Sequence, residues 1–453
     1  MHDRTPVHGR GRVSPTTEGA LPRAENVRLF QEGIARDLLD GCTPQERPVA
    51  VIVCGQTGAG KTAITAMVKD ALDRLGSAAW INMDFYNPYH PHYARWQAER
   101  PQEADALVRP DGDLWWEQAQ DYALSRGYNI LLESAAVSPA EFEDICRRIQ
   151  DAPRPPGAAP YRIEAAFVAV AGPISEFGTR DRFVHEVREL GHGRLVDREI
   201  HNASLDGVLR SAAAFEREGL GDLGLVMRRD GSPVYSRTVT PGLPVAEDQL
   251  TLVHAVQRER DRQLTPLEAA QFAARYADTA LRAPAFMSAE LADIARAVAP
   301  LLPEPTTRWT DLAEEAQRLR GAVPGVPDPT LPARSDADLV QLLAHSVAER
   351  HAAGEAGPSP RSRRILAEMA RRSVLPAEQR AYEASERQRL RSNDAQLVTK
   401  PGSTLPVRPS TATAARSRST TGTRPPQRQQ AQQPLPPPQR TGPEPQHRPG
   451  HSR

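Results

Sequence analysis

The sequence predicts an α/β fold, a parallel sheet with helices on both faces, followed by a helical accessory region and a disordered Pro-rich tail. Three observations carry this. Val49-Ala50-Val51-Ile52-Val53 is a short apolar run with β-branched residues, the pattern of a parallel strand buried on both faces. A Gly-rich segment follows at once, and Ala63 to Leu75 then places Ile64, Met67, Val68, Leu72 and Leu75 at helical spacing. Beyond this strand–turn–helix unit, strand-like and helix-like segments alternate as far as about Arg237.

Taken in order, Ala24 to Leu39 reads as a helix with Val27, Phe30, Ile34 and Leu38 on one face, stopped by Gly41. After the first strand and its helix, Ala78 to Ile81 is the second strand, and the chain reaches Asp84 shortly beyond it. Pro88-Tyr89-His90-Pro91-His92-Tyr93 is rigid and aromatic and reads as a loop. Leu114 to Ser125 is a helix ended by Gly127, and Tyr128 to Leu132 is the third strand, closing on Glu133. Glu141 to Ile149 is helical, Asp151 to Pro160 a Pro-rich connector, and Ile163 to Val170 the fourth strand. Phe183 to Leu190 and His201 to Glu218 are helices; the second presents Leu205, Val208, Leu209, Ala212 and Phe215 to the core. Leu223 to Met227 is the fifth strand, Asp230-Gly231 turns the chain, and Pro233 to Tyr235 returns.

The Gly-rich segment, Gly55-Gln56-Thr57-Gly58-Ala59-Gly60-Lys61-Thr62, fits GxxxxGK[ST] at every fixed position. Glycines at this place let successive backbone N–H groups point at phosphate oxygens, and the following helix adds partial positive charge. Lys61 is placed to reach the β- and γ-phosphates, and the Thr62 hydroxyl to bind Mg²⁺. The fold class is therefore that of a P-loop NTPase, and the chain is expected to bind a nucleoside triphosphate. In open parallel sheets ligands sit at the carboxyl ends of strands. Gly55, Asp84 and Glu133 all lie at or just beyond such ends, so three separate segments converge on one edge. A kinase that phosphorylates a hydroxyl needs a carboxylate to take its proton, and Asp84 is placed for that role. The alternatives are a Mg²⁺ carboxylate or a helix cap for Asp84, and a structural carboxylate for Glu133. No NKxD, DFG or HRD sequence is present, which argues against guanine specificity and against a protein kinase.

Composition bounds the rest. The hydrophobic fraction is 39% and there are 42 prolines in 453 residues, so part of the chain is expected not to fold. The formal net charge is +0, which favours neither nucleic acid nor membrane as a partner. Cys42, Cys54 and Cys146 have no disulfide or zinc spacing. No signal peptide and no membrane-spanning run is legible, so cytoplasmic residence is expected. We divide the chain into a disordered N-terminus (1–22), a P-loop kinase domain (23–240), a helical accessory region (241–395) and a disordered tail (396–453). In the accessory region Pro266, Pro284 and Pro300 break an Ala-, Arg- and Leu-rich stretch, and helices are expected at Asp311–Leu319, Ala337–Arg350, Arg364–Arg372 and Ala377–Leu390. From Lys400 the chain is Pro-, Thr-, Ser-, Gln- and Arg-rich, with Glu444 as its only acid. It reads as a solvated tail, with weak contact to nucleic acid or another anionic surface as the alternative.

The region from about Asn26 to Arg237 resembles the zeta toxins, phosphate-loop kinases of toxin–antitoxin systems. Several segments carry the resemblance. Thr43-Pro44-Gln45-Glu46-Arg47-Pro48-Val49-Ala50, running into the Gly55–Thr62 loop, is similar to the family's opening. Asp84 followed by His90-Pro91 and Tyr93 matches the family's acid, then His-Pro and an aromatic. Tyr128-Asn129-Ile130-Leu131-Leu132-Glu133 resembles the strand ending in its second acid, and Gly193-Arg194-Leu195-Val196 with His201 the segment that supplies an arginine. Leu225 to Gly231, then Val234-Tyr235, resembles its closing strands.

The resemblance implies ATP- and Mg²⁺-dependent phosphorylation of the sugar 3′-hydroxyl of UDP-N-acetylglucosamine, and a small helical antitoxin as partner. It implies Asp84 as base, Lys61 and Arg194 as phosphoryl-neutralising cations, and Glu133 as a sugar contact. His90 and Tyr93 are implied as substrate contacts or as loop packing. Two departures stand out. The family follows the second acid with Gly-Thr, where this chain has Ser134-Ala135. A second phosphate-contacting arginine has no clean match, with Arg198 and Arg210 as the candidates. The competing readings are a phosphotransferase of the antibiotic-modifying type, acting on another hydroxyl, and an ATP-binding regulatory module without turnover.

Overall fold

The computed structural model describes residues 19–388, apart from 101–102, 154, 156, 241–248, 305–310, 313–314, 317, 320–330, 332–333, 356, 376–379, 381–382, 386–387. The expected N-terminal segment lies almost wholly, and the tail wholly, outside the described residues.

Helix α1 (Arg23–Leu29) runs directly into a π-helical stretch, Phe30–Leu39. Strand β1 (Val49–Cys54) leads through the Gly-rich loop into α2 (Lys61–Asp73). Strand β2 (Ala78–Ile81) is followed by two short 3-10 turns, Met83–Phe85 and Asn87–Tyr89, then α3 (Tyr93–Glu99) and α4 (Ala104–Arg126). Next come β3 (Asn129–Ser134), α5 (Pro139–Gln150), β4 (Arg162–Val168), α6 (Gly172–Leu190) and α7 (Arg198–Glu218). Strands β5 (Leu223–Met227) and β6 (Pro233–Thr238) complete a six-stranded sheet of order β2-β3-β1-β4-β5-β6. All neighbours pair in parallel except β5 and β6. The expected return strand is thus present and three residues longer, out to Thr238.

The sheet is covered on both faces, as the apolar runs require. Side chains alternate across a strand. Along β1, Val51 and Val53 join one core with Ile64 and Leu72 of α2 and Phe177 and Phe183 of α6. Ala50, Ile52 and Cys54 join the opposite core, with Ile34 and Leu39, Trp115 of α4, Phe142 of α5 and Phe215 of α7.

Two helices are longer than their sequences indicate. The Pro110-Asp111-Gly112 triplet carries turn residues, yet it lies inside α4. Asp111 is buried and accepts hydrogen bonds from Asn26 Nδ2 (2.7 Å) and the Leu21 backbone N–H (3.1 Å). These long-range bonds hold the helix through a triplet that local propensity disfavours. Helix α6 begins at Gly172, eleven residues before the expected start at Phe183; its proline, Pro173, stands in the first turn, where a missing N–H costs nothing.

Among the described residues the helical region includes α8 (Leu252–Asp261), α9 (Pro266–Arg282), α10 (Ser288–Val298), α11 (Asp336–Ala352) and α12 (Pro360–Ser373). Pro266 starts α9 rather than interrupting a helix, and Thr265 and Glu268 close a capping box around it. The apolar core continues across residue 240. Phe177 and Phe183 of α6 share one cluster with Ala273 and Tyr276 of α9, Leu291 of α10, Leu343 of α11 and Leu366 of α12. Polar contacts follow the same seam. Arg180 Nε donates to Glu290 (2.8 Å), Arg275 Nε to Asp181 (2.8 Å), and His185 lies 3.3 Å from Asp278. Of the expected helix at 311–319, the described positions Asp311, Leu312, Glu315, Ala316, Arg318 and Leu319 are helical, whereas most of 377–390 lies outside the described residues. Among the described residues no helix is long and apolar enough to cross a membrane.

Candidate active site

The phosphate loop is shaped by its backbone. Gly58 and Gly60 have φ of 78° and 88°, the left-handed region that side chains disfavour. At Gly58 space is also closed, since a Cβ would fall 1.9 Å from the Ser175 carbonyl oxygen of α6. Gly55 N–H donates to the Ser134 carbonyl (3.1 Å), which ties the loop's start to β3. Thr57 N–H donates to Ser204 Oγ of α7 (3.0 Å), and buried Gln56 donates through Nε2 to the Val170 carbonyl (2.6 Å) and Ser175 Oγ (3.2 Å). His201 is buried and its Nε2 lies 2.9 Å from Ser175 Oγ, so it supports this bracing. Burial lowers its pKa, which favours the neutral ring.

Lys61 opens α2 and folds back over the loop, donating through Nζ to the carbonyls of Gly55 (2.7 Å) and Gln56 (3.1 Å). Burial pushes its pKa down to about 8, against the pull of Glu133. Thr62 follows at the exposed helix start, and Ala59 is buried beneath the loop.

The acids meet this loop from two neighbouring strands. Glu133 is the penultimate residue of β3, and Asp84 sits in the 3-10 turn after β2, where the Asn82 side chain caps its N–H (3.0 Å). Burial raises the Glu133 pKa; Lys61 and Thr65 oppose this, and the charge of Asp84 adds to it. One Glu133 oxygen, Oε1, is buried without a hydrogen-bond partner. Asp84 touches solvent on one side, yet the protein packed around it raises its pKa, as does Asp105, while Arg194 and Arg182 pull it down. Charge thus links Glu133 to Lys61 and Asp84, and Asp84 to Arg194 and Arg182.

Arg182 was missed in the sequence. It lies on α6, close enough for its charge to act on both Lys61 and Asp84. The two arginines considered for a second phosphate contact sit elsewhere. Arg198 is exposed and ion-paired with Glu176 (2.6 Å), and Arg210 is exposed on α7. The signal that could have found Arg182 is its spacing: Phe183 and Arg182 are adjacent, so a helix burying the first turns the second to another face.

His90 is not brought to this cluster. Its side chain is fully buried, stacked on Trp96 at 4.8 Å, with Nε2 3.4 Å from Asp111. Tyr93 is half-buried; its hydroxyl lies 3.2 Å from Asp105 Oδ1 and accepts from Gln97 (2.7 Å). Asp105 in turn acts on Asp84, so Tyr93 borders the acid at one remove.

The donor set can be tested against a nucleotide and its Mg²⁺. Among the described residues no group of three or more His, Cys, Asp or Glu is arranged to hold a metal. That fits an ion carried by phosphates, with one protein hydroxyl, Thr62, and the unpartnered carboxylate oxygen of Glu133 close to the loop.

Residues 35–240 match the sequence profile of the zeta toxin family. Toxin PezT of Streptococcus pneumoniae serotype 4 is 22% identical over 210 residues, 46% of this chain and 79% of that protein. Toxin zeta of Enterococcus hirae is 21% identical over 244 residues, 53% of this chain and 80% of that protein. A solved structure from the PezAT chromosomal toxin–antitoxin system of Streptococcus pneumoniae superposes with a TM-score of 0.46 at 18% identity, covering 55% of this chain and 93% of its own. The likeness to the zeta toxin family is thus carried by the segment 35–240, a little under half of the chain.

Proposed function

We propose that the segment 23–240 houses an ATP-dependent phosphotransferase that acts on a hydroxyl of UDP-N-acetylglucosamine, as the toxin of a toxin–antitoxin pair. The observation that carries this reading is the grouping of Lys61, Asp84, Glu133, Arg182 and Arg194 at one sheet edge beside a phosphate loop. A hydroxyl is a poor nucleophile at neutral pH. Asp84 takes its proton as the oxygen attacks the γ-phosphorus and the bond to the ADP oxygen breaks. Lys61, Arg182 and Arg194 neutralise the charge that spreads over the transferring group, and Glu133 holds the acceptor. A bound Mg²⁺ would supply further charge neutralisation to the phosphates, and Thr62 would be the residue that holds it. The relatives named as toxins support the biological role, and a small antitoxin as partner is part of the same proposal.

One observation favours a second acceptor. Where the family has Gly-Thr after the second acid, Ser134 is buried and its Oγ accepts from the Ala136 N–H (3.1 Å), and Ala135 has no hydroxyl to offer. A sugar contact of the family is therefore absent at 135, which leaves room for another hydroxyl compound. Mass spectrometry of the products formed from Mg²⁺-ATP and UDP-N-acetylglucosamine decides. One added phosphate on the sugar supports the leading reading. An unmodified nucleotide sugar beside phosphorylation of another hydroxyl compound keeps the kinase and discards this acceptor. No ADP release with any acceptor tried would leave only the binding module.

A further inference from the structure

The helical region reaches the phosphate loop. Arg260, on α8, is 6% exposed and donates through Nη2 to Gln56 Oε1 of the loop (3.0 Å) and through Nη1 to the Leu205 carbonyl of α7 (3.1 Å). Gln56 is itself fully buried and passes the contact on, to the Val170 carbonyl behind β4 and to Ser175 on α6. Arg260 lies outside the family-matched segment 35–240. Its partners are neutral, and its Nε is buried without a hydrogen-bond partner. Among the described residues no carboxylate stands within ion-pairing distance of it; Asp206 and Asp261 act on it only from further off. Burying a cation with neutral partners is costly, and replacing such a charge by an apolar side chain of similar volume is often neutral or stabilising. A charge kept there is better accounted for by what occupies the other side of the loop.

We infer that Arg260 is a positioning residue for the phosphate loop, holding Gln56 from behind and adding positive potential to the cradle, so that nucleotide binding depends on the docked helical region. This rests on the reading of the loop as a nucleotide site. The apo protein carries the cost of the buried guanidinium, and the triphosphate supplies the counter-charge. The geometry also separates two contributions: the fork of the guanidinium ties Gln56 to the Leu205 carbonyl of α7, and the charge acts through the loop at longer range.

The test uses the full chain with Arg260→Met and Arg260→Lys, in three measurements: melting without nucleotide, amide hydrogen exchange over residues 55–60, and affinity for Mg²⁺-ATP. The Arg260→Met chain is expected to melt close to the parent, to exchange the Gly55, Thr57 and Ala59 amides about tenfold faster with β1 unchanged, and to bind ATP about tenfold more weakly. The Arg260→Lys chain is expected to recover part of the affinity, because it keeps the charge, but not the loop protection. Unchanged exchange over 55–60 in a folded variant overturns the inference. So does a lowered melting temperature with unaltered ATP affinity, the mark of a merely structural residue. If Arg260→Met fails to fold, Arg260→Lys alone carries the exchange measurement. Faster loop exchange in the variant, in a parent chain that binds no ATP, keeps the brace and discards the nucleotide reading.

Discussion

The phosphate loop and the acceptor side share one edge of the sheet and are built in opposite ways. The loop is a backbone device. Its shape comes from two left-handed glycines in one short run, and its buried side chain, Gln56, is bonded to the segment after β4, to α6 and to α8. The acceptor side is a side-chain device. Asp84, Glu133, Arg182 and Arg194 come from four separate segments, Asp84 and Arg194 touch solvent, and Glu133 keeps a buried oxygen without a partner. The difference teaches that the phosphate half is rigid in advance, whereas the acceptor half holds free hydrogen-bonding capacity for a substrate to use.

The largest expected effect breaks the rigid half. Lys61→Ala removes the cation folded over the loop, and phosphoryl transfer is expected to fall by at least ~10³ with the melting temperature little changed, since removing one preorganised charge contact at the reacting centre costs on this scale. Transfer near the parent rate, read by ADP release, would contradict the kinase assignment. Gly58→Ala attacks the backbone itself. A Cβ there meets the Ser175 carbonyl at 1.9 Å and must also hold a φ of 78°, so a loss of about 3 kcal/mol in stability is expected, with loss of ATP affinity. Denaturant titration measures the first and calorimetry the second.

On the acceptor side the effects should be graded. Arg182→Ala is expected to slow transfer by ~10–10³, up to the lower end of the range for charge-stabilising arginines, since it lies half in solvent. Arg198→Ala, which removes only the exposed pair with Glu176, should stay within about twofold of the parent, as surface pairs generally contribute little. Equal losses in the two variants would mean that Arg182 has no special place. The pH dependence follows from the carboxylates. Both Asp84 and Glu133 have raised pKa values, so a base that must be ionised is lost at a higher pH than an ordinary carboxylate would be. The acidic limb of the transfer rate should therefore lie above the usual carboxylate range, and a rate that persists down to pH about 4, the ordinary Asp and Glu region, contradicts the assignment.

The same contrast sets what was legible in the sequence. The loop was readable because its residues are contiguous and each has one backbone reason for its type. The sheet was readable because β1 is apolar at every position, as a strand covered twice must be. Arg182 was not readable, because α6 was expected to start at Phe183 and the arginine sits one residue earlier, within a helix whose first half is small and polar where it packs on the loop. The span of α4 across Pro110-Asp111-Gly112 was not readable either; Asp111 is held by Leu21 and Asn26, about ninety residues away in the chain, and local propensity carries no record of that. The role of Arg260 was hidden for the same reason, since Gln56 and Arg260 are 204 positions apart.

The most direct test of the account compares two numbers in one variant. In Asp84→Asn, ATP affinity and the single-turnover transfer rate are measured side by side on the full chain. If Asp84 belongs to the acceptor half, affinity should stay within about threefold of the parent while the rate falls by ~10²–10⁴, the range for a positioned general base. A collapse of ATP affinity would make Asp84 part of the phosphate and metal half instead, and an unchanged rate would remove it from the chemistry.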